Sequence, residues 1–216
     1  MIVKASGTFH AFDSKIFRSD SYLQWGDSQK TIGLVMMLNP GSSRLANNTD
    51  WDSFIHRCES GEEFSQSGEL EMDPTMKSIH HILSTSNPEL DGILHIYNLF
   101  NYRWGKSNEA IRTYSGLLQD SRYQSYLHSP LPPLESFPWI WTAWSVESGA
   151  SINNRKKHII KKLSGTNRIA LYSSQKDHQT RKELFCYHPC PQQKAKREWV
   201  QTEMIKEFKK YYLLDN

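Results

Sequence analysis

The chain has little of what marks a secreted or membrane protein. Its 216 residues include only three cysteines, which is too few for the disulfide framework of a small secreted domain. No apolar run approaches the roughly 20 residues that cross a bilayer, and the N-terminus lacks the charged-then-apolar order of a signal peptide. No repeat, low-complexity tract or linker divides the sequence. We therefore expect a single cytoplasmic domain over residues 1–216, monomeric and without a membrane partner.

Charge of one sign is also scarce, since 26 basic and 23 acidic residues leave a formal charge of +3. A balance this mild permits a nucleic-acid partner without requiring one, because a strongly basic domain would be the clearer signal. Aromatic residues, by contrast, are plentiful at 12% and include seven tryptophans. Some of these rings can fill a core, and others can stay available to stack on a ligand.

The few cysteines do not form a convincing metal motif. Cys186 and Cys190 bracket His188, and Cys58 is the only other thiol. A structural zinc site usually takes four ligands in recognisable pairs. We therefore predict reduced cysteines, no metal site and no cofactor.

An alternation of strands and helices predicts the fold class. Four apolar segments that end in turn residues predict buried strands at 32–38, 92–98, 137–144 and 168–172. Capped or amphipathic segments predict helices that begin at Asp73, with Pro74 in the first turn, and that cover 107–128, 154–163 and 194–212. This order is typical of a parallel sheet covered on both faces. We predict an α/β fold, a three-layer sandwich with a central, mostly parallel four-stranded sheet flanked by helices.

Two segments fall outside that pattern. Residues 1–30 carry scattered aromatic side chains and predict a short hairpin, which would be an N-terminal extension of the domain. Residues 44–72 are polar and irregular, and they predict a long loop insertion. Long loops in compact domains are often functional.

Polar groups follow three of the predicted strands. Asn39 opens the turn Asn-Pro-Gly-Ser-Ser, Asn98 ends the second strand and Ser145 follows the third. His188 lies in a turn after the fourth strand. Ligands of open α/β sheets bind at the carboxyl ends of the strands, so we expect one shared site there. Carboxamides can read a base edge or orient water, and a histidine can stabilise a leaving anion.

Each of these groups also fits an ordinary structural role. Residues 39–42 form a common turn sequence, Asn98 can cap a strand end, and His188 can be a packed loop residue. The basic run 155–162 fits a solvated helix face. Only the joint order of the segments along the chain favours a shared site.

That order resembles the motif order of a known enzyme superfamily. Residues 38–43 resemble the first motif of the uracil-DNA glycosylase superfamily in its mismatch-specific form, Gly-Ile-Asn-Pro-Gly. Residues 96–100 are similar to its strand that ends in a base-reading Asn, and residues 140–145 to its strand that ends Leu-Trp-Gly. His188 to Pro191 resembles its His-Pro-Ser-Pro motif. The four motifs span roughly residues 31–210.

A second resemblance uses some of the same residues. The chain is similar to a bacterial family of unknown function that carries Met-Leu-Asn-Pro-Ser, Asp-Pro-Thr and Asn-Leu-Phe segments. Here these correspond to residues 37–42, 73–75 and 98–100.

The superfamily resemblance implies a glycosylase-like fold and a role for each matched position. Asn39 would orient the attacking water, Asn98 would bond the edge of a flipped base, and His188 would stabilise the departing base anion. The rings of Phe100, Tyr102 and Trp144 would hold the base by stacking. Contacts to DNA and its phosphates would come from Gly41, Ser42, Ser43, Ser145, Pro189, Cys190, Gln192 and Lys194. Among these, Gln192 stands where the superfamily inserts a wedge residue into the duplex.

The resemblance thus implies a monofunctional DNA glycosylase, because the matched motifs contain no lysine for lyase chemistry. Asn39 stands where the fastest uracil enzymes carry aspartate, so a strong general base is missing from the motif. We therefore expect a modified or damaged base, such as a hypermodified base of phage DNA in a defence setting, rather than plain uracil. Two alternatives remain: a non-catalytic nucleic-acid-binding module that uses the basic helix, and a hydrolase of free nucleosides or nucleotides.

Overall fold

The computed structural model describes residues 2–174 and 182–214. Its strands are β1 (Val3–Phe12), β2 (Lys15–Trp25), β3 (Thr31–Met37), β4 (Arg44–Leu45), β5 (Phe64–Glu71), β6 (Gly92–Asn98), β7 (Ile140–Thr142) and β8 (Arg168–Ile169). Its α-helices are α1 (Asn48–Glu59), α2 (Pro74–Ser86), α3 (Ser107–Leu117), α4 (Gln124–Leu127), α5 (Ala150–Lys162) and α6 (Lys194–Leu214).

The strands form one mixed eight-stranded sheet in the order β4-β5-β1-β2-β6-β3-β7-β8. The predicted α/β class is confirmed, but the predicted four-stranded, mostly parallel sheet is wrong. The four strands expected from the sequence are β6, β3, β7 and β8, and they pair in parallel. They make up half of the sheet, and β2, β1, β5 and β4 continue it with antiparallel pairs.

The additional strands come from the two segments that did not fit the sequence pattern. Residues 3–25 form the long hairpin β1–β2, which pairs with β6 and so belongs to the central sheet. Residues 44–71 are not a loop insertion, because they form β4, α1 and β5. The signal for α1 lies in Asn47, whose side chain caps the helix, and in Trp51, Phe54 and Cys58, which its buried face carries at helical spacing.

Helices cover both faces of the sheet. Side chains alternate along β3, so that Val35 and Met37 join one apolar cluster while Leu34, Met36 and Leu38 join the other. The first cluster packs under α1, α2 and α6, and the second packs under α3, α4 and α5. The layered arrangement explains why β3 reads as a continuous apolar run, since both of its faces are buried.

The helix predictions hold in outline. Helix α2 begins as expected, with Asp73 accepting hydrogen bonds as N-cap and Pro74 in the first turn. The single helix expected over 107–128 is divided into α3, a 3-10 turn and α4. Helices α5 and α6 lie close to their predicted positions.

The strand order places a reversal of the chain connections at a defined point. The four parallel strands follow one another along the chain as β3, β6, β7 and β8. Across the sheet their order is β6-β3-β7-β8, or 2-1-3-4, because β6 and β7 flank β3 on opposite sides. The direction of the connections therefore reverses beside β3. In open α/β sheets, ligands bind outside the carboxyl ends of the strands at such a reversal. Asn39 follows β3 and Ser145 follows β7, so both lie at this edge.

Candidate functional site at the carboxyl edge of the sheet

Asn39 is held in a fixed orientation at the end of β3. Its half-buried carboxamide donates from Nδ2 to the carbonyl of Trp104 at 2.8 Å. Among the residues that the structure describes, none bonds its Oδ1. The amide therefore presents an acceptor that can take a hydrogen bond from water or a ligand.

Two arginines hold the turn that follows Asn39. Arg103 donates from Nε to the Ser43 carbonyl at 2.8 Å and from Nη2 to the Ser42 carbonyl at 2.7 Å. Buried Arg18 donates from Nη2 to the carbonyl of Pro40. The hydroxyl of Ser43 is also engaged, since it donates to the Glu71 carbonyl at 2.8 Å. Of the two serines in this turn, both predicted to contact phosphate, only Ser42 exposes its side chain.

Gly41 brings this turn against Asp73. Its φ of +69° lies in the left-handed region, and a Cβ at this position would lie 2.8 Å from Asp73 Oδ2. Meanwhile Asp73 Oδ1 accepts from the backbone N–H groups of Thr75 and Met76, at 3.0 and 2.9 Å. One carboxylate oxygen thus caps α2 and the other faces the turn. The sequence indicated the cap but not this second contact.

His188 presents a defined tautomer at the same edge. The backbone N–H of Cys190 donates to its Nδ1 at 3.1 Å, so the neutral ring carries its proton on Nε2. Burial lowers the pKa of His188 from 6.5, and the negative charge of Asp73 opposes this effect. The N–H of Cys190 can only donate, so it too favours the neutral ring. His188 is therefore a neutral Nε2–H donor at pH 7.

We expect the imidazole of His188 to titrate below pH 6.5 when its ring resonances are followed by NMR. Asp73→Asn should lower this pKa further, because it removes the negative charge that stabilises the imidazolium. Asp120→Asn, which changes a helix-capping carboxylate elsewhere, should leave the titration unchanged. A pKa above 6.5, or one that Asp73→Asn does not move, would contradict the arrangement.

The turn that carries His188 is tied to helix α2. The Pro189 carbonyl accepts from the Ser78 hydroxyl at 2.7 Å, and Gln201 of α6 donates to that same hydroxyl oxygen at 2.7 Å. Pro189 is buried and Cys190 is half-buried, so in this structure both hold the turn.

Asn98 ends β6 beside Met37, the residue of β3 with which it is paired. Its side chain is 4% exposed, and Oδ1 has no hydrogen-bond partner among the described residues. A buried acceptor without a partner costs about 1–3 kcal/mol, so it marks a place for a donor from water or a ligand. Asn98 also lines a cavity of about 130 Å³ between β2, β6 and the segment 129–137.

The aromatic residues predicted to stack on a base have packing roles instead. Phe100 is fully buried and stacks on Tyr114, with ring centroids 4.4 Å apart. Trp144 is fully buried and donates from Nε1 to the Leu184 carbonyl at 3.2 Å. Neither ring has a face left for a base, because both lie in the apolar core. Tyr102 is 7% exposed and is largely covered as well.

Two exposed tryptophans that the motifs did not indicate flank the site. Trp104 and Trp199 are each 45% exposed. The Trp104 carbonyl holds Asn39, and its ring stacks on Tyr102 at 5.9 Å. Trp199 packs edge-on against Tyr187, the neighbour of His188, at 5.3 Å. Both rings are therefore available to stack on a ligand. The other five tryptophans are buried, and the sequence alone does not show which tryptophans stay exposed.

Ser145 and the basic helix stabilise the end of β7. Ser145 has a φ of +78°, and its hydroxyl accepts from the Glu147 N–H at 3.3 Å. Lys156 is completely buried and donates to the carbonyls of Ser145, Glu147 and Leu184 at 3.1, 2.7 and 2.8 Å. The expectation of a solvated face for 155–162 is therefore wrong at Lys156, while Lys157 is exposed.

Cations gather at the start of α6, directly after the His188 turn. Lys194, Lys196 and Arg197 occupy its first turn, which contains no acidic residue. Lys194 and the preceding Gln192 are exposed, and the contact of Lys194 with Glu198 is long at 3.9 Å. The N-terminus of a helix favours anions, so three cations there are unfavourable for the helix itself. A negatively charged partner would offset this cost.

No family model, curated protein or solved structure matches this chain. The resemblance to the uracil-DNA glycosylase superfamily therefore stays a prediction from the motifs. Within residues 2–174 and 182–214, no group of three or more His, Cys, Asp or Glu side chains is placed to hold a metal. The helices of this part of the chain are all too short or too polar to cross a bilayer.

Proposed function

We propose that the protein is a monofunctional DNA glycosylase that hydrolyses the N-glycosidic bond of a modified or damaged base. The observation that carries the proposal is the fixed tautomer of His188, which presents Nε2–H at the edge where β3 and β6 end. Asn39 contributes an open acceptor at that edge, and Asn98 contributes a buried acceptor without a partner among the described residues. A donor to the leaving base, a water-orienting amide and a base-reading amide each match one need of base excision.

The chemistry follows from the charges that develop. Breaking an N-glycosidic bond gives the sugar oxocarbenium character and leaves an anion on the base. A neutral histidine N–H aimed at that anion stabilises it without prior rearrangement, and one such donor contributes about 10²–10³-fold in rate. The phosphates of the DNA favour the cationic sugar. The carboxamide of Asn39 can accept a hydrogen bond from the attacking water.

The surface around the site supports a nucleic-acid substrate. Lys194, Lys196 and Arg197 form a cationic group beside the His188 turn, where they can contact phosphates. Extruding a base costs a few kcal/mol. Stacking of bases on exposed aromatic rings contributes about 1–3 kcal/mol per base, and Trp104 and Trp199 are positioned for it.

Base release tests the proposal. Duplexes that each carry one modified base are incubated with the protein and treated with alkali, and bases released from genomic and phage DNAs are identified by mass spectrometry. We expect abasic sites on at least one substrate, and we expect His188→Ala to reduce the rate at least about 100-fold. Asn39→Ala should also abolish product. His158→Ala, at an exposed histidine of α5, is the matched control and should retain activity.

The rival functions give different results in the same assay. Salt-sensitive DNA binding without release of any base would indicate a non-catalytic binding module. Release from free nucleosides in preference to DNA would indicate a nucleoside hydrolase. Unchanged activity in both His188→Ala and Asn39→Ala would overturn the assignment of the site.

A further inference from the structure

The matched motifs lack a strong base, because the first of them carries the carboxamide of Asn39. We infer that Asp73, at the start of α2, supplies the missing carboxylate and takes the proton of the attacking water. The inference rests on the proposed function and adds a catalytic residue to it. Three features support it: the free oxygen of Asp73, its rigid placement and the charged groups that converge on it.

Only one oxygen of Asp73 is occupied by the helix cap. Oδ1 accepts from two backbone N–H groups of α2, whereas Oδ2 faces the turn at Gly41. Among the residues that the structure describes, no cation lies within ion-pair distance of the carboxylate. Oδ2 therefore has capacity left to accept a hydrogen bond from a water molecule.

The cap also fixes the position of this oxygen. Two hydrogen bonds hold the carboxylate, and Asp73 is 9% exposed, so its side chain cannot turn freely towards solvent. Gly41 lets the turn approach Oδ2 closely because it has no Cβ. A general base that is fixed in position lowers the activation barrier, because little orientational freedom is lost when it meets the attacking water.

Charged groups from three segments converge on Asp73. Burial lowers the pKa of Arg18 in β2, of Arg103 after β6 and of His188. The negative charge of Asp73 raises the pKa of all three. These segments are far apart in the chain, so the carboxylate lies at the point where the parts of the site meet. Arg18 Nε and Nη1 are buried and have no partner among the described residues, so this part of the site has hydrogen-bond donors left for a ligand or water.

Atoms, electrons and protons are all accounted for in the proposed step. The C1′–N bond breaks, and its electron pair leaves with the base, which accepts a hydrogen bond from His188 Nε2–H. The water oxygen bonds to C1′ and passes one proton to Asp73 Oδ2. The other hydrogen remains on the new C1′ hydroxyl. The proton on Asp73 is returned through solvent to the released base anion.

Variants that keep the helix cap separate catalysis from folding. Asparagine and serine cap helices about as well as aspartate, so Asp73→Asn and Asp73→Ser should keep a denaturation midpoint close to that of wild type. In single-turnover assays we expect the rate of base release to fall about 10²–10⁴-fold, with DNA binding retained. Added formate should restore part of the rate of Asp73→Ser, because it replaces the carboxylate. Asp120→Asn, which alters a capping aspartate elsewhere, is the matched control and should keep full activity.

Each outcome is decisive. Activity of Asp73→Asn within threefold of wild type overturns the inference and leaves the proposed function intact. Loss of activity with loss of stability and without rescue by formate also overturns it, because the role would then be structural. Absence of base release by the wild-type protein on every substrate overturns the proposed function, and this inference with it.

Discussion

Lys156→Met is expected to lower the free energy of unfolding by about 3 kcal/mol or more, because it leaves three carbonyls without their donor. The ammonium group of Lys156 bonds the carbonyls of Ser145, Glu147 and Leu184, and the side chain is completely buried. Burial lowers its pKa to about 8, so the group is mainly protonated at pH 7 and keeps all three donors. Methionine matches the length of the side chain but offers no N–H.

Chemical denaturation of the two proteins at pH 7 measures this effect. Lys157→Met is the matched control, because its side chain lies on the same helix and is exposed. Such a surface change should stay within about 0.5 kcal/mol of wild type. A loss below about 1 kcal/mol for Lys156→Met would show that water replaces the ammonium group at little cost.

The same interactions explain why a buried lysine belongs to the architecture of the site. Lys156 joins the turn after β7 to Leu184, four residues before His188. Arg155, its neighbour, donates to the Tyr97 hydroxyl at 2.7 Å and to the Leu99 carbonyl at 3.3 Å. Two basic residues of α5 therefore fix the chain around the ends of β6 and β7. The basic run therefore stabilises the turns that carry the candidate site, whereas the cations of α6 lie directly after the His188 turn.

The parallel half of the sheet was predictable because its strands are buried on both faces. An apolar run such as β3 has few alternatives, and the turn residues after it mark its end. The start of α2 was predictable for a similar reason, since Asp73 and Pro74 act through local hydrogen bonding and a fixed φ.

Of the antiparallel half, only the hairpin within residues 1–30 was predicted. Its place in the central sheet and the strands β4 and β5 were not, because they depend on partners that are distant in the chain. β5 is mainly polar and buries only Leu70, and its pairs with β1 join residues more than 50 positions apart. Such a strand has no strong pattern of its own. Helix α1 was missed for a different reason, since its apolar residues are few and lie among many polar ones.

The motifs predicted where the candidate residues lie better than they predicted what each side chain contacts. Asn39 and Asn98 stand at the carboxyl ends of β3 and β6, which share one edge of the sheet, and a site shared with His188 there stays a prediction. The burial of each aromatic ring, however, is known only from the fold. Phe100 and Trp144 lie in the core and are not exposed to a ligand. The second oxygen of Asp73 could not be foreseen, because its contact with the turn at Gly41 exists only in the folded chain.

Gly41→Ala is expected to reduce base release about 100-fold while the protein remains folded. The φ of +69° strains any residue with a Cβ, at a cost of about 1–3 kcal/mol. The added Cβ would also lie 2.8 Å from Asp73 Oδ2, so either the turn or the carboxylate must shift. A displacement of about 1 Å in a catalytic group can cost about 10²-fold in rate. Single-turnover base release and chemical denaturation, measured on the same preparation, check both parts.

Gly61→Ala separates the backbone strain from the contact. Gly61 has a φ of +83°, and a Cβ there meets nothing within 4 Å, so this variant carries the strain alone. We expect it to lose a similar amount of stability and to keep the wild-type rate. Equal rates in the two alanine variants would mean that the contact between Gly41 and Asp73 has no part in catalysis. A low rate in Gly41→Ala alone would instead tie the turn after β3 to the carboxylate, because the two variants differ in what their Cβ atoms meet.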